Sequence, residues 1–198
     1  MIKRSRAYAI PIACLQEFAL ISRRRLLQTG LSLAALPRWA DAANDAPAKA
    51  ATGPDWVAWT GPTPPLVLPD LGGRERKLSA WRGSVVIVSF WATWCEPCRD
   101  ELPILSTMAK RHREEGLCLI AVNVGEPPAR ISAFLKKTPV TGTVLHDRNS
   151  AASKKWDAAA LPANYLVDRG GTVRHWHLGE LDWKSHAVGG VVTRMLRS

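Results

Sequence analysis

Cysteine is scarce in this 198-residue sequence: there are four, and only Cys95 and Cys98 share a CxxC spacing. A structural zinc site usually draws four ligands from two such pairs, and Cys118 stands alone in an apolar segment, so no structural zinc is expected. His175 and His177 alternate along TVRHWHLG, but a lone HxH on a strand is read as surface polarity, and no metal ligand is assigned. Acidic residues are also in short supply, 17 against 27 Lys and Arg, for a formal charge of +10. The excess is uneven. Residues 1–42 carry seven basic side chains against Glu17 and Asp41, and the longer remainder carries 20 against 15. Beyond the N-terminus the pairs Lys136-Lys137 and Lys154-Lys155 are too sparse for the clustered basic face that nucleic acid requires; they read as solvated helix faces, and no nucleic-acid partner is expected. No apolar run reaches the roughly 20 residues of a spanning helix, and no repeat is visible. A hydrophobic content of 46% and this length fit one globular domain with a sizeable core.

The N-terminus has the grammar of an export signal. SRRRLLQ places Arg23 and Arg24 ahead of the short, moderately apolar LLQTGLSLAALP, and Ala40-Asp41-Ala42 follows as a small-residue cleavage site. The pattern resembles the twin-arginine (Tat) address, which a receptor reads and which is not an anchor; an ordinary Sec leader with a basic n-region is the alternative. Cleavage after Ala42 would leave Ala43 first, in a soluble periplasmic chain; retention as an uncleaved membrane anchor is the weaker reading. The apolar stretch at 7–21 is either a long n-region or a sign that translation starts downstream. Either way Cys14 is expected to be absent from the mature protein.

Residues 43–65, rich in Ala, Pro, Thr and Gly, read as a flexible tether leading into a domain over 66–198. VLPDLGGRERKLSAWRG suggests two short strands about a Gly-Gly turn. SVVIVSFWA (84–92) and LCLIAVNVG (117–125) are continuous apolar, β-branched runs, as in strands buried on both faces. EPCRDELPILSTMAKRHREEG (96–116) has helical spacing, with Leu102, Leu105, Met108 and Ala109 on one face, Gly116 as its stop and Pro103 as an expected kink. PPARISAFLKKT (127–138) predicts a helix, TVLHD (143–147) a strand and SAASKKWDAA (150–159) a helix. NYLVD and TVRHWHLG flank RGG as a hairpin, and LDWKSHAVGGVVTRMLR (181–197) closes the chain as a helix. This order predicts an α/β three-layer domain with a mixed central sheet.

FWATWCEPCRDELP holds the chemistry. A disulfide across two residues closes too small a loop to stabilise a fold by chain entropy. Redox cycling suits the setting better. Cys95 ends a buried strand and opens a helix, where unpaired N–H groups and the positive end of the helix dipole favour the attacking thiolate. Cys98, one turn on, is placed to resolve a mixed disulfide on Cys95. Pro97 stiffens the turn between the sulfurs. Trp91 and Trp94 are expected to form a flat apolar rim for a docking partner. Glu96 should be exposed and tune the local charge.

FWATWCEPCRDELP, AVNVGE (121–126) and LPANYLVDRGGTV (161–173), in that order, resemble the thioredoxin superfamily, and more narrowly the exported TlpA/ResA-type thiol-disulfide oxidoreductases. The resemblance spans roughly residues 65–198. It implies a thioredoxin-like fold with an N-terminal β-hairpin extension and, in PPARISAFLKKTPVTGTVLHD, a central αβ insertion. It assigns Cys95 as nucleophile and Cys98 as resolving thiol, with no cofactor beyond their disulfide. It makes Pro162 a cis-proline beside that disulfide, with Leu161 offering backbone groups to a substrate peptide; spacing alone would read Leu-Pro as a trans turn. Ala163 follows where the family usually has threonine. Thioredoxin's buried aspartate, six residues before its first cysteine, falls here on Ser89. Glu101 matches the ResA-type glutamate and becomes the candidate proton relay; its plainer reading is a solvent-facing carboxylate. Cys118 reads as a small buried hydrophobe.

The resemblance further implies a reductase of protein disulfides, its substrates oxidised protein thiols such as apocytochrome c or copper-site proteins, and its electron donor a membrane thiol carrier of the DsbD/CcdA kind. The direction of electron flow does not follow from spacing. Two other classes compete. A peroxiredoxin-like peroxidase needs Pro-x-x-x-Thr-x-x-Cys, whereas SFWATW precedes Cys95. A Cu(I) metallochaperone could use Cys95 and Cys98 as soft ligands, but Sco-type carriers space their cysteines by three residues and add a histidine.

Overall fold

A computed structural model describes residues 55–198, so the expected signal at 1–42 and the tether up to residue 54 lie outside the described residues. Within them, β1 (Val57–Ala58), β2 (Val67–Pro69) and β3 (Glu75–Lys77) lead through a 3-10 turn at Leu78–Trp81 to β4 (Val85–Trp91) and α1 (Glu96–Arg111). There follow β5 (Leu117–Val124), α2 (Pro128–Lys137), β6 (Thr143–Asp147), α3 (Ala151–Lys155), β7 (Ala163–Val167), β8 (Val173–Leu178) and α4 (His186–Arg197). Six strands form one mixed sheet in the order β1-β8-β7-β4-β5-β6, parallel from β4 to β6 and antiparallel from β4 to β1. β2 and β3 form the expected separate hairpin, tied to the sheet edge by a bridge between Asp70 and Leu145. The αβ insertion is α2 with β6, which extends the sheet beside β5.

The central strands are apolar on both faces because both are covered. Side chains alternate along a strand. Val86, Val88 and Phe90 pack with Cys118, Trp156, Tyr165 and Trp176 on one face. Val85 and Ile87 pack with Leu105, Leu166, Val188 and Val192 under α1 and α4 on the other. A third cluster joins Trp91, Cys95, Cys98, Leu102, Ala121 and Ile131 where α1 and α2 meet the sheet. The site is therefore set on packed elements.

Several boundaries depart from the sequence reading. The domain begins before residue 66. Val57 and Ala58 pair with Trp176 and His175 as the outermost strand. Trp56 meets Trp183 edge-on at 5.5 Å, and Trp59 meets Trp176 at 5.8 Å, so residues 55–65 are docked, not a tether. α1 runs unbroken across Pro103 and ends at Arg111, short of Gly116, where φ is +87°. α3 stops at Lys155; the buried Asp147 carboxylate accepts the Ala152 and Ser153 N–H groups at its start. α4 starts only at His186, because the Ser185 hydroxyl accepts the Val188 N–H at 3.1 Å and caps it. His177 is buried and lies within hydrogen-bond reach of the Asp55 and Glu180 carbonyls, so it is not the surface polarity expected. Among the described residues no helix is long and apolar enough to cross a membrane.

Candidate active site

Cys95 is the cap of α1. Its backbone is extended, at φ −81° and ψ 110°, and its sulfur accepts the Cys98 N–H at 3.3 Å. Pro97 occupies the first turn, where a missing N–H leaves no bond unmade. Cys95 and Cys98 are joined as a disulfide with their Cα atoms 5.3 Å apart. Cys95 retains 5% exposure and Cys98 1%, so a partner meets Cys95 first. A thiolate at Cys95 would face the N–H groups and positive end of a 16-residue helix.

The aromatic rim needs correction. Trp94 is 65% exposed, but Trp91 is fully buried, its ring 5.2 Å from Phe134. Trp91 lies on β4 and faces α2, so it packs the insertion against the sheet and offers nothing to a partner. Glu96 is exposed and Pro97 partly so. The Leu161–Pro162 bond is cis. Pro162 is buried at the head of β7, and Leu161 packs against the cluster that holds both cysteines.

Glu101 is not the solvent-facing carboxylate of the plainer reading. It is 3% exposed and accepts the Leu181 N–H at 2.8 Å and the Asn164 side-chain N–H at 2.9 Å. Burial raises its carboxyl above the usual range, and these two bonds oppose the rise. Asn164 sits directly across from Ser89 in the β4–β7 register, so Glu101 reaches the strand pair at the level of Ser89. Cys118 is buried in β5.

The sequence reading missed a second buried carboxylate. Glu126, 4% exposed, accepts the Thr93 N–H at 2.6 Å, the Thr93 hydroxyl at 2.5 Å and the Asn123 side-chain N–H at 2.8 Å. Thr93 lies two residues before Cys95. The available signal was an acidic residue ending an apolar strand run, which alone does not reveal burial. Among the described residues no group of three or more His, Cys, Asp or Glu could hold a metal ion.

Residues 60–176 match the AhpC/TSA family. The chain belongs to that family. Within reach of this AhpC/TSA chain are the ResA thiol-disulfide oxidoreductases. That of Geobacillus thermodenitrificans (strain NG80-2) is 34% identical over 133 residues, 66% of this chain and 76% of the relative. That of Bacillus subtilis (strain 168) is 32% identical over 121 residues, 61% and 68% of the two chains. Among solved structures, a candidate thiol:disulfide interchange protein DsbE from Chlorobium tepidum is 30% identical with a TM-score of 0.64, covering 68% of this chain and 95% of its own. With its CxxC disulfide and thioredoxin-like sheet, this AhpC/TSA member is a thiol-disulfide oxidoreductase, an enzyme whose substrates are protein thiols and disulfides.

Proposed function

We propose that the protein is an exported reductase of protein disulfides working through the WCEPC pair. Cys95 attacks a substrate disulfide, one substrate sulfur leaves as a thiolate, and Cys98 then attacks the mixed disulfide to release the reduced substrate and close Cys95–Cys98. The observation that carries this reading is the Cys95 sulfur at the cap of α1, receiving the Cys98 N–H. Trp94, Glu96 and Pro97 border the exposed side of the pair and Leu161 its inner side, so a partner strand would lie across Leu161–Pro162 with Trp94 against it. Glu101, buried one turn past Cys98 with its carboxyl raised, is the group suited to carry the proton that Cys98 must lose.

The substrates that fit an exported reductase are oxidised cysteines of apocytochrome c or of copper-site proteins, which an oxidising compartment would otherwise keep as disulfides. A membrane thiol carrier of the DsbD/CcdA kind would return Cys95–Cys98 to the dithiol. The deciding measurement is the potential of the pair against glutathione, with reductase activity on a protein disulfide. A potential near roughly −270 mV, as in thioredoxin, supports the reading, and one near roughly −120 mV makes the protein an oxidant and overturns it. Stoichiometric, tight Cu(I) uptake by the reduced protein without reductase activity would also overturn it in favour of a metallochaperone.

A further inference from the structure

Glu126 joins two strand ends that flank the disulfide. Its main chain follows β5 after Gly125, whose positive φ of +73° turns the strand and whose N–H bonds the Asp147 carbonyl at 3.0 Å. The Glu126 carbonyl accepts from His146 Nε2 at 2.7 Å, which fixes the residue from β6. The side chain crosses to the segment after β4, where Oε2 accepts the Thr93 N–H and Oε1 the Thr93 hydroxyl. The following turn is closed by the Cys95 N–H on the Ala92 carbonyl at 3.2 Å. Two extended residues span at most about 7 Å, and this turn is shorter than extended. The carboxylate and the Cys95 sulfur are therefore within roughly a Debye length, about 10 Å at 0.1 M salt, separated only by Thr93 and the exposed Trp94 along the chain.

The charged groups around this carboxylate are few. Arg130, on the first turn of α2, brings Nη1 to 3.8 Å of Oε1, and its side chain is 63% exposed. His146 meets only the main-chain oxygen. Three donors at 2.5 to 2.8 Å converge on the Glu126 carboxylate. Reduction of Cys95–Cys98 by a dithiol adds two electrons to the S–S bond, breaks it, and leaves one sulfur as thiolate and the other as thiol. An anion nearby opposes the charged product and leaves the neutral disulfide untouched.

We propose that Glu126 is a positioning residue for the exchange reaction: it grips Thr93 to hold the turn that carries Cys95, and its charge biases the pair toward disulfide, which makes the dithiol a stronger reductant. The inference rests on the exchange chemistry proposed for Cys95, and assigns the control of its driving force to a residue outside the CxxC motif.

The test is the equilibrium of the full-length Glu126→Gln protein with reduced and oxidised glutathione. The expected result is a shift of at least threefold toward the dithiol, about 14 mV for a two-electron couple at 29.6 mV per tenfold, with the Cys95 thiolate absorbance appearing at lower pH than in the parent. Thr93→Val keeps the charge and the N–H bond but removes the hydroxyl, and should slow exchange with less than a twofold change in the equilibrium. A lower melting temperature in Glu126→Gln with an unchanged equilibrium is what a merely structural residue gives, and overturns the proposal. If Glu126→Gln does not fold, the exposed Arg130→Ala decides: stripping the countercharge should move the equilibrium toward the disulfide by about twofold, and no shift or the opposite shift overturns the proposal. Glutathione exchange requires no protein substrate. Failure to reduce protein disulfides, with these shifts intact, would therefore count against the proposed function alone.

Discussion

Asn164 donates its side-chain N–H to Glu101 at 2.9 Å from the position directly across the sheet from Ser89. The Glu101 carboxylate, on α1 a turn past Cys98, is thus held by a neighbouring strand and by the Leu181 N–H. These two bonds couple the acid on α1 to β7 and to the segment before α4.

That burial has a pH signature. The Glu101 carboxyl is raised mainly by desolvation, so the folded protein binds the proton more tightly than the unfolded chain. Stability should then fall as pH rises from the ordinary carboxylate value of about 4.3 through the raised folded value, and level off above it. Glu101→Gln should remove this slope while leaving the rest of the pH profile in place, and should slow the resolving step about tenfold near neutral pH. Urea titrations at a series of pH values check the first, and single-turnover release from a Cys95 mixed disulfide checks the second. Identical slopes in parent and variant would sink the argument.

The order of attack is open to trapping. Cys98→Ser should accumulate a mixed disulfide through Cys95 with substrate proteins, since the resolving thiol is gone. Cys95→Ser should accumulate at most a tenth as much, because Cys98 is 1% exposed. Non-reducing gels followed by mass spectrometry of the adducts read this directly, and equal trapping by both variants would refute the assignment.

Trp91 and Trp94 should separate stability from recognition. Trp91→Ala empties a fully buried site against Phe134, and a loss of about 3–5 kcal/mol is expected. Trp94→Ala, at a 65% exposed position, should change stability by under about 0.5 kcal/mol and lower kcat/KM toward a protein disulfide about tenfold. Denaturant unfolding and steady-state kinetics on both variants distinguish the two roles.

What was legible in the sequence was what local pattern encodes. β4 and β5 lie within their apolar runs, β6 has the predicted bounds 143–147, and the hairpin before β4 and the αβ insertion stand where the resemblance put them. The strand-to-helix placement of Cys95 follows from the same periodicity. Residues 55–65 escaped because their Pro- and Gly-rich composition resembles a linker. Only two residues pair as β1, and the anchors are Trp56 and Trp59 on aromatics more than 100 positions away. Glu126 and Asn164 escaped for a related reason: whether a polar side chain is buried, and on what, is decided by elements distant in sequence. Nearness to the motif does not give access to it: Trp94 is exposed, whereas Trp91, three residues earlier on β4, is buried against Phe134 of α2.

The docked N-terminal segment yields the last prediction. Trp59 is partly buried and meets Tyr165 at 5.9 Å as well as Trp176, and Trp56 donates its indole N–H to the Val188 carbonyl at 3.3 Å. The Val173 N–H donates to the Thr63 hydroxyl oxygen at 2.9 Å. A protein beginning at Ala43 should therefore be more stable than one beginning at Leu66, which exposes the β8 edge and the Tyr165–Trp176 faces. Trp59→Ala alone should cost about 2 kcal/mol, less than a fully buried tryptophan, and lower Tm by roughly 8 °C in a domain of this size. Calorimetry on the three proteins checks it. Equal melting temperatures for the Ala43 and Leu66 versions would restore residues 55–65 to the status of a tether, because a segment that packs three aromatic contacts and a strand pairing cannot be removed without a measurable loss.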